Sequence, residues 1–199
     1  MSRSPSNILP ESFYSNPDVV DVSRQLIGKR LCTFFDGYFT TGIITETEAY
    51  CGRDDRACHA NNGLRTERTE VMYGKPGHAY IYLSYGIHHL FNVVTNREGL
   101  ADAVLIRSIL PTEGIDTIKE RRNNRPPKEL SNGPGKLSQA LGLHTSLSGT
   151  TLYEPPVWIE DSGVVVPKIK SSQRIGVEYA GEDAKRPWRF FTDPENLQV

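Results

Sequence analysis

The dipeptide Asp36-Gly37 separates two stretches rich in strand-forming residues, and this arrangement limits the fold more than any other feature of the chain. Asp-Gly accepts the positive φ angles of a tight two-residue turn between antiparallel strands. Residues 29–35 and 38–50 are therefore predicted to form a hairpin. The protein should accordingly be built around an antiparallel sheet.

The rest of the chain predicts further strands with helices inserted among them, and not a regular alternation of strand and helix. The other predicted strands are 79–84, 88–95, 103–110, 157–160, 164–167 and 172–178. The predicted helices extend from Asn16-Pro17-Asp18 to Gly28, over 112–122, and from Gly133-Pro134 onward. We expect an α+β fold with a curved, mostly antiparallel β-sheet core and surrounding helices.

The 199 residues contain no internal repeat and no long Gly/Ser- or Pro-rich linker. We therefore expect a single domain over residues 1–199, with a loosely ordered N-terminal segment at residues 1–15. The sequence has no apolar run of membrane-spanning length and no signal-peptide pattern at its start. These features predict a cytoplasmic protein (nuclear in a eukaryote) without a membrane partner.

The formal net charge of −1, from 23 Lys+Arg and 24 Asp+Glu, excludes a basic, histone-like protein. Any nucleic acid would have to be held by a local patch. The strongest basic run is 119–128, with five positive residues and one negative. Such runs are usually solvated loops, although this one could follow phosphates. Further basic residues in or near loops are Arg65, Arg68, Lys75 and Lys136.

Two motifs that carry well-known chemistry elsewhere are incomplete in this chain. The segment Gly133-Pro134-Gly135-Lys136 is not a P-loop, since Leu130 replaces the first glycine and Leu137 replaces the Ser/Thr that binds magnesium. The helix start could still receive a phosphate on Lys136. The cysteines are Cys32, Cys51 and Cys58. Their odd number favours reduced thiols, and their spacing fits no zinc site, so no metal is predicted.

Glu46, Glu48 and Tyr50 alternate along one strand, so their side chains should lie on one face of the sheet. Such a face could simply be exposed to solvent. Arg107, however, lies in a strand that is otherwise mostly apolar, where a guanidinium must reach water or meet a carboxylate. We expect Glu48 to be its partner. A carboxylate held ionised in a partly dry site can act as a general base on water.

Aromatic residues follow the predicted second hairpin. Tyr80 and Tyr82 share a strand face, where tyrosines most often serve packing. Tyr85 lies at the tip of the hairpin beside Gly86, a position from which an aromatic ring can project as a wedge into a partner. Asn92, inside the following strand, either satisfies backbone groups or reads the edge of a ligand.

Taken together, these segments resemble the alkyladenine (3-methyladenine) DNA glycosylases of the mammalian type, a family that also has bacterial members. The similarity extends over about residues 18–191. The shared motifs occupy 42–50, 55–59, 74–77, 80–86, 92, 104–107, 132–134, 174–176 and 185–190. Their number and order make the resemblance far more specific than any single motif.

The resemblance implies a DNA-repair enzyme that flips a damaged purine out of the duplex. It implies that Glu48 deprotonates the attacking water, with Arg107 and the backbone carbonyl of Ile175 holding that water. The residues implied to contact or crowd the flipped base are Tyr50, His59, Tyr82, Asn92 and Leu105. Tyr85 would fill the gap left in the stack. A β-hairpin wedge would thus project from the DNA-binding face.

The implied reaction hydrolyses the N-glycosidic bond of alkylated or deaminated purines: 3-methyladenine, 7-methylguanine, hypoxanthine and ethenoadenine. Because the nucleophile is water, the product is an abasic site with an intact backbone. No cofactor and no metal are implied. The partner is double-stranded DNA with damaged purines, contacted through phosphates by Arg65, Arg68, Lys75 and Lys136, and the protein is expected to be a monomer.

Two other functions compete with this one. A glycoside hydrolase could use Glu46 and Glu48, but alternate residues of one strand have Cα atoms only about 6.6 Å apart and point in parallel, whereas paired carboxyls flank a sugar from opposing elements. A non-enzymatic nucleic-acid-binding protein could stack bases on its tyrosines. In such a binding protein, however, the buried arginine beside a glutamate would have no role.

Overall fold

The computed structural model describes residues 7–198, in which four α-helices and nine β-strands are joined by short 3₁₀ turns. The helices are α1 (Glu11–Tyr14), α2 (Val19–Gln25), α3 (Ile115–Arg121) and α4 (Pro134–Leu141). The strands are β1 (Arg30–Phe35), β2 (Tyr38–Tyr50), β3 (Ala79–Ser84), β4 (His88–Thr95), β5 (Asp102–Glu113), β6 (Tyr153–Glu154), β7 (Val157–Glu160), β8 (Lys170–Ser172) and β9 (Arg189–Phe191).

All of these strands belong to one curled sheet with the order β3-β4-β5-β2-β1-β7-β6, and every pair is antiparallel. The long strand β2 pairs with β5 along one side. On its other side it pairs first with β1 and then with β9, which in turn pairs with β8. The register of β2 against β5 shifts on both sides of Glu46, and such bulges bend and twist a strand. The α+β fold is confirmed.

Both predicted hairpins are present. Asp36 and Gly37, with φ angles of 52° and 82°, form the tight turn between β1 and β2. The second hairpin joins β3 and β4, with Ser84 opposite His88 and three residues at its tip. The positive φ angles of Tyr85 and Gly86, 51° and 73°, turn the chain there. This places the tip beyond the last paired residues of the sheet.

The hydrophobic core lies between the sheet and the helices α2 and α4. Asp18 caps α2 by accepting hydrogen bonds from the amides of Val20 and Asp21, as the predicted helix start requires. The largest fully buried apolar side chains in this core are Leu26, Leu31, Ile44, Phe91, Ile106, Ile118, Leu137, Leu141 and Phe190. Each contributes about 1.5–3 kcal/mol through burial, so the core fixes the strands that carry the site.

Three predicted elements differ from the structure. The helix predicted at 112–122 begins only at Ile115, because β5 continues to Glu113. The strand predicted at 164–167 is wrong: only Val165 forms a bridge, to Gln198. The strand predicted at 172–178 is also wrong, since β8 ends at Ser172 and the chain then leaves the sheet. That departure carries the following residues toward the end of β2.

The N-terminal segment predicted to be loosely ordered at 1–15 is partly packed. Leu9 and Tyr14 are buried in the core, and Glu11–Tyr14 is helical. Leu9 also donates its amide proton to the carbonyl of Ile159. Residues 7–15 are thus part of the domain, and residues 1–6 lie outside the described residues.

All three cysteines, Cys32, Cys51 and Cys58, are buried. Burial raises the pKa of Cys51 to about 11 and that of Cys58 to about 12, so both remain protonated at neutral pH. Within residues 7–198 no group of three or more His, Cys, Asp or Glu side chains could hold a metal ion. Over the same range, no helix is long and apolar enough to cross a membrane.

Candidate active site

A cavity of about 500 Å³ opens where the ends of β2, β3, β4 and β5 meet two loops and the start of α4. The strands supply Tyr50, Tyr80, Tyr82, Leu90, Asn92, Leu105 and Arg107 to its lining. The loops and the start of α4 supply Ala57, His59, Ile175, Gly176, Val177, Tyr179, Gly133, Pro134, Gly135 and Lys136. All of the base-contacting residues implied by the resemblance, together with Arg107 and Ile175, line this one cavity.

Glu48 lies directly behind the cavity wall and is fully buried. Its carboxylate accepts three hydrogen bonds, from the Tyr50 hydroxyl at 2.7 Å, Arg107 Nη1 at 3.3 Å and the Ile175 amide at 2.8 Å. All three donors line the cavity. Since a carboxylate has about four lone-pair sites, one remains for a further donor such as water. The interpretation of 46–50 as one functional face is supported by this geometry.

Arg107 bonds two carboxylates. Its Nε donates to Glu46 at 2.8 Å, and this contact is shorter than the one to Glu48. Glu46 is also held by Arg189 at 2.6 Å. Burial opposes protonation of Arg107, yet the charges of Glu48 and Glu46 outweigh it and raise the pKa, so the guanidinium remains cationic. The expected partner Glu48 is present, but Glu46 is the closer one.

Aromatic rings form one wall of the cavity. The rings of His59 and Tyr82 meet edge to face with centroids 4.6 Å apart, and Tyr80 lies 5.5 Å from Tyr82. His59 Nδ1 is 2.9 Å from the Tyr80 hydroxyl, which fixes the imidazole. Burial, aided by the charge of Arg68, lowers the pKa of His59 to about 4. The imidazole is therefore neutral at neutral pH.

Asn92 and Leu105 are paired across β4 and β5 and are both buried in the cavity floor. The side-chain amide of Asn92 donates to the carbonyls of Tyr80 at 3.0 Å and Leu90 at 3.1 Å. Asn92 therefore satisfies backbone groups, which was one of the two alternatives, and it also lines the cavity. That it reads the edge of a ligand stays a prediction. Because its two donors are occupied, its rotamer is fixed.

Tyr85 is 94% exposed at the tip of the β3–β4 hairpin, beside the cavity mouth. Its φ angle of 51° lies in the left-handed region, which is uncommon for a bulky side chain. A strained aromatic side chain held in solvent at the mouth of a cavity indicates a functional constraint more than a packing role.

The four residues predicted to contact phosphate differ in their surroundings. Arg65 forms a bidentate ion pair with Glu70, at 2.8 and 2.6 Å, and stacks over Tyr73. Arg68 and Lys75 are exposed, and Arg68 lies close enough to lower the pKa of His59. Lys136 lines the cavity and donates to Asn132 at 3.0 Å. Arg65 is therefore the member whose charge is already compensated.

The basic run 119–128 is partly structural. Arg121 donates to the Thr40 hydroxyl and to the carbonyl of Ala140, and Arg122 donates to the carbonyl of Leu130. These two guanidinium groups tie α3 to its neighbours, so the run offers fewer cations to a partner than its sequence indicates.

Four contributors to the site were not predicted from the sequence. They are Glu46 as the main partner of Arg107, the amide of Ile175 as a donor to Glu48, the buried ion pair of Asp55 with Arg174, and Tyr179 at the cavity mouth. The only available signal was the position of Asp55, Arg174 and Ile175 inside shared family motifs. The role implied for Ile175 involved its carbonyl, and that role remains a prediction.

Known proteins are similar to this chain over most of its length. The sequence model of the methylpurine-DNA glycosylase (MPG) family matches residues 12–196. A Chlamydia pneumoniae protein named "putative 3-methyladenine DNA glycosylase" is 44% identical over 191 residues, covering 95% of this chain and 97% of the relative. Relatives of the same name from Chlamydia abortus and Bacillus cereus are 46% and 44% identical, covering 95% and 92% of this chain and 100% and 94% of their own.

The chain therefore belongs to the methylpurine-DNA glycosylase family, and the resemblance drawn from its motifs is confirmed. It is a hydrolase of DNA base excision repair that acts on N-glycosyl bonds, with DNA as its substrate. The alternative of a non-enzymatic nucleic-acid-binding protein is thereby wrong.

Proposed function

We propose that the protein is a monofunctional glycosylase that removes alkylated and deaminated purines from double-stranded DNA as a monomer. Glu48 activates a water that attacks the anomeric carbon, and the base leaves. The product is an abasic site in an intact strand, because hydrolysis leaves no covalent intermediate from which the backbone could be cut. The expected substrates are 3-methyladenine, 7-methylguanine, hypoxanthine and ethenoadenine.

The observation that carries this proposal is the environment of Glu48. Its three donors are all groups of the cavity wall, and Arg107 next to it carries a fixed positive charge. A carboxylate so held is oriented, and its remaining lone pair can take a proton from water. Water bound between Arg107 and Ile175 would stand between Glu48 and a base in the cavity.

The cavity favours a cationic purine. Alkylation at a ring nitrogen gives the base a positive charge, which the electron-rich faces of Tyr50 and Tyr82 attract. The neutral state of His59 adds to this preference, since an imidazolium would repel such a base. The charged base is also a good leaving group. Hypoxanthine and ethenoadenine are neutral and need protonation or hydrogen bonding before they leave.

The base must be rotated out of the helix to enter the cavity, because the glycosidic carbon is inaccessible within the stack. Tyr85, exposed beside the cavity mouth, is suited to fill the gap in the duplex. Asn92, with its fixed rotamer in the cavity floor, would crowd the 2-amino group of guanine and so protect the normal base. Arg68, Lys75 and Lys136 would contact phosphates around the mouth.

An excision panel tests this function. Duplexes with one 3-methyladenine, 7-methylguanine, hypoxanthine or ethenoadenine are incubated with the protein, and abasic sites are cleaved with alkali. We expect strand breaks at the lesion only after alkali, and none in the undamaged duplex. Breaks that form without alkali would contradict the monofunctional mechanism, and the absence of excision from every duplex would contradict the proposed function.

A further inference from the structure

Asp55 and Arg174 form an ion pair in which both side chains are completely buried. The two guanidinium nitrogens donate to the two carboxylate oxygens at 2.5 and 2.8 Å, which is a bidentate arrangement. The same guanidinium also donates to the carbonyls of Ala49 at 2.9 Å and Asp183 at 3.0 Å. Arg174 thus joins the end of β2 to two separate loops.

The pair is directly connected to the proposed base. Residue 175, which follows Arg174, donates the amide hydrogen bond to Glu48 Oε1. The Arg174 guanidinium also lies 4.8 Å from the centre of the Tyr50 ring, and Tyr50 donates to Glu48 Oε2. Two of the three hydrogen bonds to Glu48 therefore come from groups that Arg174 holds.

Asp55 organises the other loop of the cavity. Its oxygens accept hydrogen bonds from the amides of Cys51 at 3.3 Å and Ala57 at 3.1 Å. Ala57 lines the cavity, and His59 follows it by two residues. A single ion pair thus fixes the loop with His59 relative to the loop with Ile175.

Stability alone is a poor explanation for this pair. Arg174 Nε is buried and has no hydrogen-bond partner among residues 7–198. Buried ion pairs can often be replaced by apolar side chains of similar volume without loss of stability. Neither Asp55 nor Arg174 is itself among the residues that line the cavity. What it provides is a fixed geometry for residues that do line the cavity.

We infer that the Asp55–Arg174 ion pair is a positioning element, which holds the Ile175 amide and the Tyr50 hydroxyl against Glu48 in the geometry needed for water activation. The inference rests on the proposed function of Glu48. Neither member of the pair touches substrate. Loss of the pair should lower the rate of the chemical step and leave DNA affinity nearly unchanged, because displacements of about 1 Å in a catalytic group are sufficient to reduce rates 100-fold.

Two variants of the full-length protein test the inference. Asp55→Asn removes one charge with almost no change of shape. The double variant Asp55→Leu/Arg174→Met replaces the pair by apolar side chains and protects the fold against an unpaired buried charge. Arg53→Lys is the matched control. Arg53 lies in the same loop as Asp55, but it pairs with Asp102 and has no contact with Glu48 in the described structure.

The rate of excision is measured with enzyme in excess over the best substrate of the panel. The dissociation constant is measured on a duplex of the same sequence in which a tetrahydrofuran abasic analogue replaces the lesion. We expect both variants to excise at least 30-fold more slowly with dissociation constants within threefold of wild type.

A role in the fold alone would weaken DNA binding by the same factor as the excision rate. That result would overturn the inference, as would variants that excise as fast as Arg53→Lys. Glu48→Gln, measured in parallel, separates the two hypotheses. If Glu48→Gln is inactive while the pair variants behave as wild type, only the inference fails. If Glu48→Gln is fully active, the role proposed for Glu48 fails, and the inference fails with it.

Discussion

The hydroxyl of Tyr50 donates a 2.7 Å hydrogen bond to Oε2 of Glu48, two residues earlier on β2. Burial, followed by the charge of Glu48, raises the pKa of Tyr50 well above its usual value. The phenol therefore stays protonated and acts as a donor over the whole accessible pH range. The ring of Tyr50 lines the cavity, so under the proposed function one side chain would both contact the base and orient the carboxylate.

Tyr50→Phe separates these two tasks, since it keeps the ring and removes the hydroxyl. A hydrogen bond to a charged group contributes about 1.5–3 kcal/mol, and we expect the single-turnover excision rate to fall by about tenfold or more. DNA affinity should change by less than threefold. Tyr38→Phe, at the exposed start of the same strand, is the control and should excise at the wild-type rate. Equal rates for the two variants would disprove the role of the Tyr50 hydroxyl.

Tyr85→Asn tests the wedge without harming the turn. Asparagine tolerates the left-handed backbone that Tyr85 adopts, so the free energy of unfolding should be unchanged or higher by about 1 kcal/mol. The lesion duplex should bind at least tenfold more weakly, because nothing then fills the gap in the stack. Urea denaturation and a fluorescence anisotropy titration measure the two quantities. Wild-type affinity in this variant would show that Tyr85 is only a surface residue.

His59 should make the protein less stable in mild acid. Its pKa in the folded state is about 4, below the usual 6.5, so between these values the unfolded chain binds more protons. The stability from neutral His59 is complete above pH 6.5 and is lost as the pH falls toward 4.

The measurement compares wild type with His59→Gln by urea denaturation at pH 7 and pH 5. Between these two pH values, wild type should lose about 1–2 kcal/mol more than the variant. An equal loss in the two proteins would mean that His59 is not buried in its neutral form.

Arg68 and Arg65 should respond differently to substitution, although both lie in the same loop. The exposed Arg68 can displace a counterion from the DNA when it contacts a phosphate. The charge of Arg65 is already compensated by Glu70. Arg68→Gln should reduce the slope of log affinity against log salt concentration by about 0.9, the value for one phosphate contact. Arg65→Gln should change it by much less. Equal effects in titrations from about 50 to about 200 mM salt would contradict the distinction.

The strands and turns that carry this site are predicted well from the sequence, because they depend on local residue patterns. Alternation along β2 placed Glu46, Glu48 and Tyr50 on one face, and the polar interruption of β5 marked Arg107. The first hairpin turn follows from Asp36 and Gly37, which accept positive φ angles, and Gly86 has the same property in the second turn. These features need only neighbours in sequence, or a charge that must be compensated.

The parts that were not predicted depend on distant pairings. Arg174 and Asp55 are 119 residues apart, and the Ile175 amide reaches Glu48 across 127 residues. No periodicity reports such contacts. The strand predicted at 172–178 was wrong for the same reason, since the tertiary contacts of Arg174 outweigh the local strand preference of this segment.

The central claim is that Glu48 activates the water, and the single-turnover excision rate of Glu48→Gln tests it most directly. Glutamine keeps the shape of the side chain but cannot accept a proton at neutral pH. We expect the rate on the best lesion duplex to fall by 100-fold or more, on the order of a lost general base, while the duplex still binds with near wild-type affinity. Excision by Glu48→Gln at the wild-type rate would contradict the mechanism.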